Sequence, residues 1–315
     1  MIKLAAYFAE AAAMADPESP ARTNEAARLC RRAALDRRAS VWYERAFKLA
    51  VRTQNRREVI WALLGYGSLL YGLGHLTRAR PYFETVARRA ARTGRRRSAA
   101  EAHHDLILLC LDLHDFRQAE EHARLSESLY PRQHSRIPHL VHDCAVLLIR
   151  EGYHSTALSL LGKLPGYFPR PEEAVLVWST LARAAAGAGQ VDQFREAEQK
   201  ALELVGFYEE HGAATFVNLA EGAWLQGQDG KAGQYAELAI DVARRRKDRG
   251  QARLARELVG RIARKEPVPE EVPAPTQIRT LARRLTARLR IWKGSSSPEA
   301  PVGGNSPASV VSSVP

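Results

Sequence analysis

Small and bulky apolar positions recur along this chain in one register, six times over, at intervals of 37 to 40 residues. The pattern small-x3-bulky-x2-small reads Ala39–Tyr43–Ala46, Ala79–Phe83–Val86, Ala119–Ala123–Ser126, Ala157–Leu161–Leu164, Phe194–Glu198–Ala201 and Ala232–Ala236–Ala239. Steps of four and three place such residues on one face of a helix. A second set precedes each copy. Thr23, Leu63, His103, Val141, Trp178 and Phe216 stand sixteen residues before the first residue of the pattern, the anchor. Ala27, Gly67, Ile107, Ala145, Ala182 and Ala220 stand twelve before it, and Cys30, Leu70, Cys110, Leu148, Ala185 and Ala223 nine before it. Each unit is therefore a pair of helices, with small residues where they cross and large ones beside them.

Turn signals fall where this register needs them. Gly74, Gly152, Gly189 and Gly227 each lie five residues before an anchor, the place for a left-handed helix cap. Thr93-Gly94, Pro131 and Pro169 stand where second helices must stop. Pro81, two residues past its anchor, predicts a late start with Thr77 as cap, or a slight kink. A period of this size marks a stack of helix pairs, because one pair alone cannot bury its apolar face.

The register resembles that of the tetratricopeptide repeat. Leu63-x2-Tyr66-Gly67 followed by Gly74, Ala79 and Phe83 is the best copy; Leu219-Ala220, Gly227, Ala232 and Ala239 form another. The likeness spans roughly residues 20 to 250, with repeats longer than the usual ~34 residues, as in the elongated versions of bacterial regulatory proteins. It implies an all-α fold, a right-handed α-solenoid of about six helix hairpins. A C-terminal capping helix, a further amphipathic helix and a disordered tail follow.

The expected organisation has a capping helix at 1–19, repeats at 20–265, a Pro/Glu-rich linker at 266–276, a basic amphipathic helix at 277–293 and a disordered tail at 294–315. Ala6, 40 residues before Ala46, suits the second helix of a leading repeat, which favours a cap over a secretion signal. In 277–293, Ile278, Leu281, Leu285, Leu289 and Trp292 share one face and five arginines hold the rest. Such a helix can fold back on the solenoid, lie on an anionic membrane or dock into a partner.

Composition changes this picture little. Cys30, Cys110 and Cys144 show no paired spacing and read as core residues of a cytoplasmic protein. The net charge of +12 gathers in Arg88-Arg89, Arg92, Arg95-Arg96-Arg97 and in Arg244-Arg245-Arg246-Lys247-Arg249. Without interleaved aromatics these runs fit helix ends better than a nucleic-acid face. Phosphate-loop, dinucleotide, zinc-protease and nucleophile-elbow motifs are absent from the sequence, so neither catalysis nor a cofactor is expected. The one chemical cluster is His103-His104-Asp105 with His139, His142 and Asp143; metal or acid–base chemistry there is the lesser reading beside a polar helix face.

Recognition is what remains. By the resemblance, first helices line a concave groove. Its predicted residues are Asn24, Arg28, Trp61, Ser68, Tyr71, Glu101, His104, Leu108, His139, His142, Arg183, Glu221 and Trp224. Aromatic anchors among mixed charges suit a peptide or protein partner, with Trp61, Tyr71 and Trp224 as anchors and Arg28 and Arg183 pairing its acidic residues. A basic adaptor for nucleic acid or an anionic membrane surface is the alternative.

Overall fold

The computed structural model describes residues 2–206, 209–246 and 248–294. Among them there are fifteen α-helices, one short 3-10 turn and no strand. α1 (Ile2–Ala15) precedes six hairpins: α2 (Pro20–Arg32) with α3 (Asp36–Arg52), α4 (Arg56–Gly72) with α5 (Leu76–Arg92), and α6 (Arg96–Asp112) with α7 (Phe116–Leu129). Then come α8 (Ile137–Arg150) with α9 (His154–Leu161), α10 (Pro171–Gly187) with α11 (Val191–Val205), and α12 (Glu209–Leu225) with α13 (Asp229–Arg246). α14 (Arg249–Ala263) and α15 (Thr276–Gly294) close the order. From α1 to α14 each helix packs on its neighbours in sequence, and each first helix also on the next first helix, which is the architecture of an α-solenoid. All six anchors, Ala39, Ala79, Ala119, Ala157, Phe194 and Ala232, are fully buried.

The hairpin turn is the same six times. Ala34, Gly74, His114, Gly152, Gly189 and Gly227, each five residues before an anchor, all have φ between 55° and 83°. The amide that follows each of them donates to the carbonyl nine before the anchor, from Leu35 N to Cys30 O (2.9 Å) through Gln228 N to Ala223 O (2.9 Å). That bond ends the first helix and turns the chain into the second. Ala34 and His114 hold the left-handed conformation with a side chain attached, at a strain that glycine relieves. Ala34→Gly is accordingly expected to raise the unfolding free energy by about 0.5 kcal/mol, the relief exceeding glycine's entropy cost. Urea denaturation checks it, and a loss would mean that the turn is not strained.

Two expectations about helix ends are corrected. α5 begins at Leu76, so Pro81 lies inside the helix and there is no late start. The preceding turn, closed by His75 N to Leu70 O, sets the start, and Pro81 faces solvent, where an unbonded Thr77 carbonyl is reached by water. α9 ends at Leu161, not near Pro169, because Gly162, Pro165 and Gly166 follow at once; Leu164 is buried from outside the helix.

The space beside this short helix is taken by α15, which packs on α8 and α9. Ile278, Leu281, Leu285 and Leu289 are at most 4% exposed. The segment leading to it is anchored as well. The Ser155 amide and hydroxyl donate to the Glu271 carboxylate (2.5 and 2.9 Å), capping α9 from a distant part of the chain, and Val272 N donates to Gly152 O. Tyr167 O–H donates to Leu289 O (3.1 Å). The Trp292 side chain and the expected disordered tail beyond Gly294 lie outside the described residues. No helix among the described residues is long and apolar enough to cross a membrane.

Candidate interaction surface

A first helix in this stack meets its own second helix on one side and adjoining first helices on two others, so a narrow strip stays open. The positions eighteen and eleven before each anchor lie on it. The residues at eleven, Arg28, Ser68, Leu108, Val146, Arg183 and Glu221, are all half-buried. Those at eighteen are Ala21, Trp61, Glu101, His139, Leu176 and Ala214; Trp61 is 41% exposed, and Glu101 is buried, receiving a hydrogen bond from Arg97 Nε (3.2 Å).

Positions fifteen and eight before the anchor turn toward the next first helix instead. Asn24, Leu64, His104, His142, Ser179 and Val217, at fifteen, are all under 9% exposed. This corrects the groove assignment of Asn24, His104 and His142, which the structure puts in helix joints. Asn24 Nδ2 donates to Glu58 O (3.0 Å) and Oε2 (2.8 Å) on α4. Tyr71, at eight and half-buried, donates from its hydroxyl to Asp112 Oδ2 (2.6 Å) on α6. Burial first and then the Asp112 carboxylate lift its phenol well above the ordinary value. Trp224, also at eight, is 3% exposed beneath the Arg261 guanidinium of α14, 4.1 Å above its ring. It is no exposed anchor, because the helix after the last hairpin covers it.

The central joints form one polar chain across four first helices. Tyr130 O–H meets His104 Nδ1 (3.2 Å), and His104 Nε2 donates to Asp143 Oδ2 (2.9 Å). His142 Nδ1 donates to Asp143 Oδ1 (2.9 Å), while its Nε2 meets Thr180 Oγ1 (3.0 Å). Asn218 Nδ2 donates to the same Thr180 oxygen and to Ser179 Oγ, both 3.2 Å away. Burial pushes the Asp143 carboxyl upward, but the His104 and His142 hydrogen bonds outweigh it and hold it below the ordinary carboxylate range. Asp105 beside it is raised by burial, against the pull of Arg136 and His104.

The two arginines expected to greet a partner already have acids. Arg28 donates to Glu25 through Nε (2.8 Å) and Nη2 (2.5 Å), the hydrogen bond that raises it, yet its side chain stays 40% exposed. Arg183 Nη2 pairs with Glu221 Oε2 at 2.5 Å with both side chains at most 15% exposed, and burial lowers Arg183 below its ordinary value. That pair is closed within the stack.

The histidine cluster is divided. His103 turns to α7, its Nδ1 3.1 Å from His122 Nδ1, and burial pushes it down to about 4. His139 is 44% exposed at its side chain, with Nε2 3.8 Å from a Glu173 oxygen. Among the described residues no group of three or more histidine, cysteine or acidic side chains is arranged to hold a metal. The thiols are buried, and burial lifts Cys30 to about 12 and Cys110 to about 11.

Sequence reasoning passed over Glu58, Asp112, Thr180 and Asn218. Each is the far partner of a joint, one helix turn from the predicted row, so a stripe polar on two adjacent rows was the available signal. Val146 and Leu176, half-open on the strip, were hidden by their apolar character.

No protein-family model and no curated protein sequence matches the chain. Solved structures do. The APC/C hetero-tetramer Cut9-Hcn1 superposes with TM-score 0.59 at 14% identity, over 83% of this chain and 45% of that one. This chain thus spans under half of that relative's length. A signal transduction ATPase with a tetratricopeptide repeat sensor from Pyrococcus horikoshii gives TM-score 0.49 at 14% identity, over 88% and 47%. Aspartyl phosphate phosphatase F from Bacillus subtilis gives 0.49 at 14%, over 81% and 74%. The first of these likenesses establishes a shared solenoid fold.

Proposed function

We propose that this chain, a solenoid of the tetratricopeptide-repeat type, is a protein-interaction scaffold without catalysis of its own. A peptide or protein segment would lie along the open strip of its first helices, the groove side of the stack. One observation carries the reading. Among the described residues, Trp61 is the one large apolar side chain on any of the first helices α2, α4, α6, α8, α10 and α12 that remains exposed, at 41%. Thirteen other large apolar residues are exposed among the described residues, and they sit on α1, second helices, the linker or α15. A tryptophan left open on an otherwise closed surface is the type of residue on which interface energy concentrates.

Around it the strip offers Ser68 and Leu108 for close approach and Arg28 for an acidic side chain, reached by exchange from Glu25. Tyr71 contributes its ring edge. Trp224 and the Arg183–Glu221 pair support the helices and do not contact the segment. Proteins retained by the immobilised full chain are expected to be lost from a Trp61→Ala column, a drop of tenfold or more in affinity being usual for such an anchor. Retention of the same set by both columns removes the groove from the reading.

The alternative, a basic adaptor, draws on Arg88, Arg89 and Arg92. All three are exposed at the end of α5, with no acidic partner among the described residues. Its second support is lost, since an amphipathic helix needs a free apolar face to enter a membrane surface and α15 spends that face on α8 and α9. Steep salt dependence of binding to generic RNA or anionic vesicles is the result that would favour it.

A further inference from the structure

Sixteen residues before each anchor and three after it, the two helices of a hairpin turn side chains toward each other, as the stacked rings of Phe216 and Tyr235 show (centroids 6.3 Å apart). The other hairpins fill these positions with Thr23 and Trp42, Leu63 and Tyr82, Val141 and Leu160, and Trp178 and Ala197. Each such pair supplies at least one large apolar or aromatic side chain for packing. The third hairpin departs from this. It places two imidazoles there, His103 on α6 and His122 on α7. Their Nδ1 atoms are 3.1 Å apart, the ring planes lie within 29° of each other, and both side chains are half-buried.

We propose that His103 and His122 form a binding site for a divalent transition-metal ion of the zinc, nickel and copper group, held through both Nδ1 atoms with water completing its coordination. Two nitrogens 3.1 Å apart, each about 2.05 Å from one ion, subtend an angle of about 98° at it. That value lies between the right angle of a tetragonal site and the tetrahedral angle, the two geometries these ions adopt. Without the ion, one ring donates its Nδ1 proton to the other. Moving that proton to Nε2 of the same ring frees both lone pairs, and the one hydrogen bond given up is weaker than the two metal–nitrogen bonds gained. Two side-chain ligands leave the remaining positions open, so the ion would exchange with solvent.

The surrounding charge agrees. Glu121, Glu84 and Asp115 act on His122 against Arg80. Arg80 Nε donates to Glu84 Oε1 (2.8 Å), which balances those two, and Asp115 is met by the neutral Gln118 amides (3.2 and 2.5 Å). Glu121 and Asp115 therefore leave a field that favours a cation. Imidazole nitrogen selects among cations, because magnesium and calcium take oxygen ligands. Bound between the helices, the ion would tie α6 to α7 and stiffen the hairpin that carries Glu101 and Leu108 of the strip.

The test is isothermal titration calorimetry with Zn²⁺ on the purified full chain, free of any polyhistidine tag and stripped by chelator. One ion per chain is expected, with Cu²⁺ binding more tightly than Zn²⁺ and Mg²⁺ giving no heat. His103→Gln and His122→Gln should each weaken binding about 100-fold or more, since loss of even an outer partner of a ligand costs about 10–100-fold. His75 is exposed and lies on another hairpin, so His75→Gln should bind like wild type. Pulsed electron paramagnetic resonance of the Cu²⁺-loaded chain should show two coupled imidazoles, and at most one in either variant. Joint replacement His103→Leu with His122→Leu restores an apolar pair like those of the other hairpins, so far-UV circular dichroism should match wild type while the ion is lost. A chain that takes up no stoichiometric ion at millimolar Zn²⁺ overturns the proposal, as does binding that survives either glutamine variant or the leucine pair.

Discussion

Replacing Arg288 with alanine is expected to cost about 3–5 kcal/mol of stability, the largest loss among single changes outside the anchors. Arg288 sits on α15, yet its guanidinium, 9% exposed, closes the end of α7. Nη1 donates to the Glu127 carbonyl and to Glu127 Oε1 (3.2 Å), and Nη2 donates to Tyr130 O (2.7 Å) and Pro131 O (2.6 Å). The last carbonyls of a helix have no partners within it. The Glu127 and Tyr130 carbonyls are buried here, so water cannot replace the arginine at them. Truncation leaves the Glu127 and Tyr130 carbonyls and a 5%-exposed Glu127 carboxylate short of donors, while Pro131 O keeps the His134 amide (3.2 Å), and an unpaired buried acceptor or charge costs more than the bond that satisfied it was worth.

Controls separate this from a loss of packing. Arg284 also meets Glu127, at 2.7 Å, but its side chain is 57% exposed, so Arg284→Ala should cost under about 1 kcal/mol. Arg288→Lys keeps the charge but lacks the planar fork that reaches several carbonyls together, and should fall between the two. Hydrogen exchange on Arg288→Ala should show α15 and the end of α7 losing protection while α10 to α13 keep theirs. A cost below about 1 kcal/mol for Arg288→Ala would mean that α15 docks through its leucines alone.

How much of this was readable beforehand depends on what had period and what had none. The anchors, the face nine, twelve and sixteen before them and the left-handed turn are set by contacts every hairpin must make, so they repeat and could be read. The turn shows it well: four glycines announce it, and Ala34 and His114 adopt it without glycine because the neighbouring bond to Cys30 or Cys110 demands it. The strip was half-legible. Counting put Trp61 and Arg28 among residues that keep exposed surface, but Asn24, His104 and His142 lie one row aside and are buried, and a polar residue in a joint looks in sequence like one facing water. What happened once, with no period, could not be read. The short α9 follows from Gly162, Pro165 and Gly166 together. Arg288 looked like one more surface arginine of a basic helix, because its partners are backbone carbonyls 157 to 161 residues away.

The second large effect is expected at Asp143, and its pH dependence has a definite sign. The carboxylate, 19% exposed at its side chain, is the common acceptor of His104 and His142 on α6 and α8. Asp143→Ala leaves two ring N–H groups facing each other without an acceptor in a joint where both rings are under 8% exposed, at a cost of about 3 kcal/mol. Asp143→Asn keeps one acceptor oxygen, and its amide can donate to a ring nitrogen that changes tautomer, so about 1 kcal/mol is expected. Held below the ordinary carboxylate range, Asp143 binds fewer protons folded than unfolded. Its contribution is therefore complete above about pH 4 and is lost as pH falls further. His103 and His134 act earlier. Burial pushes both down to about 4, so between the ordinary histidine value of about 6.5 and about 4 the unfolded chain takes protons that the folded one refuses. Stability should fall across that window in wild type and Asp143→Ala alike. Below it the wild type should go on losing stability while Asp143→Ala levels off, the two curves converging. Parallel curves in denaturant titrations from pH 4 downward would show that the imidazoles do not hold the Asp143 proton off.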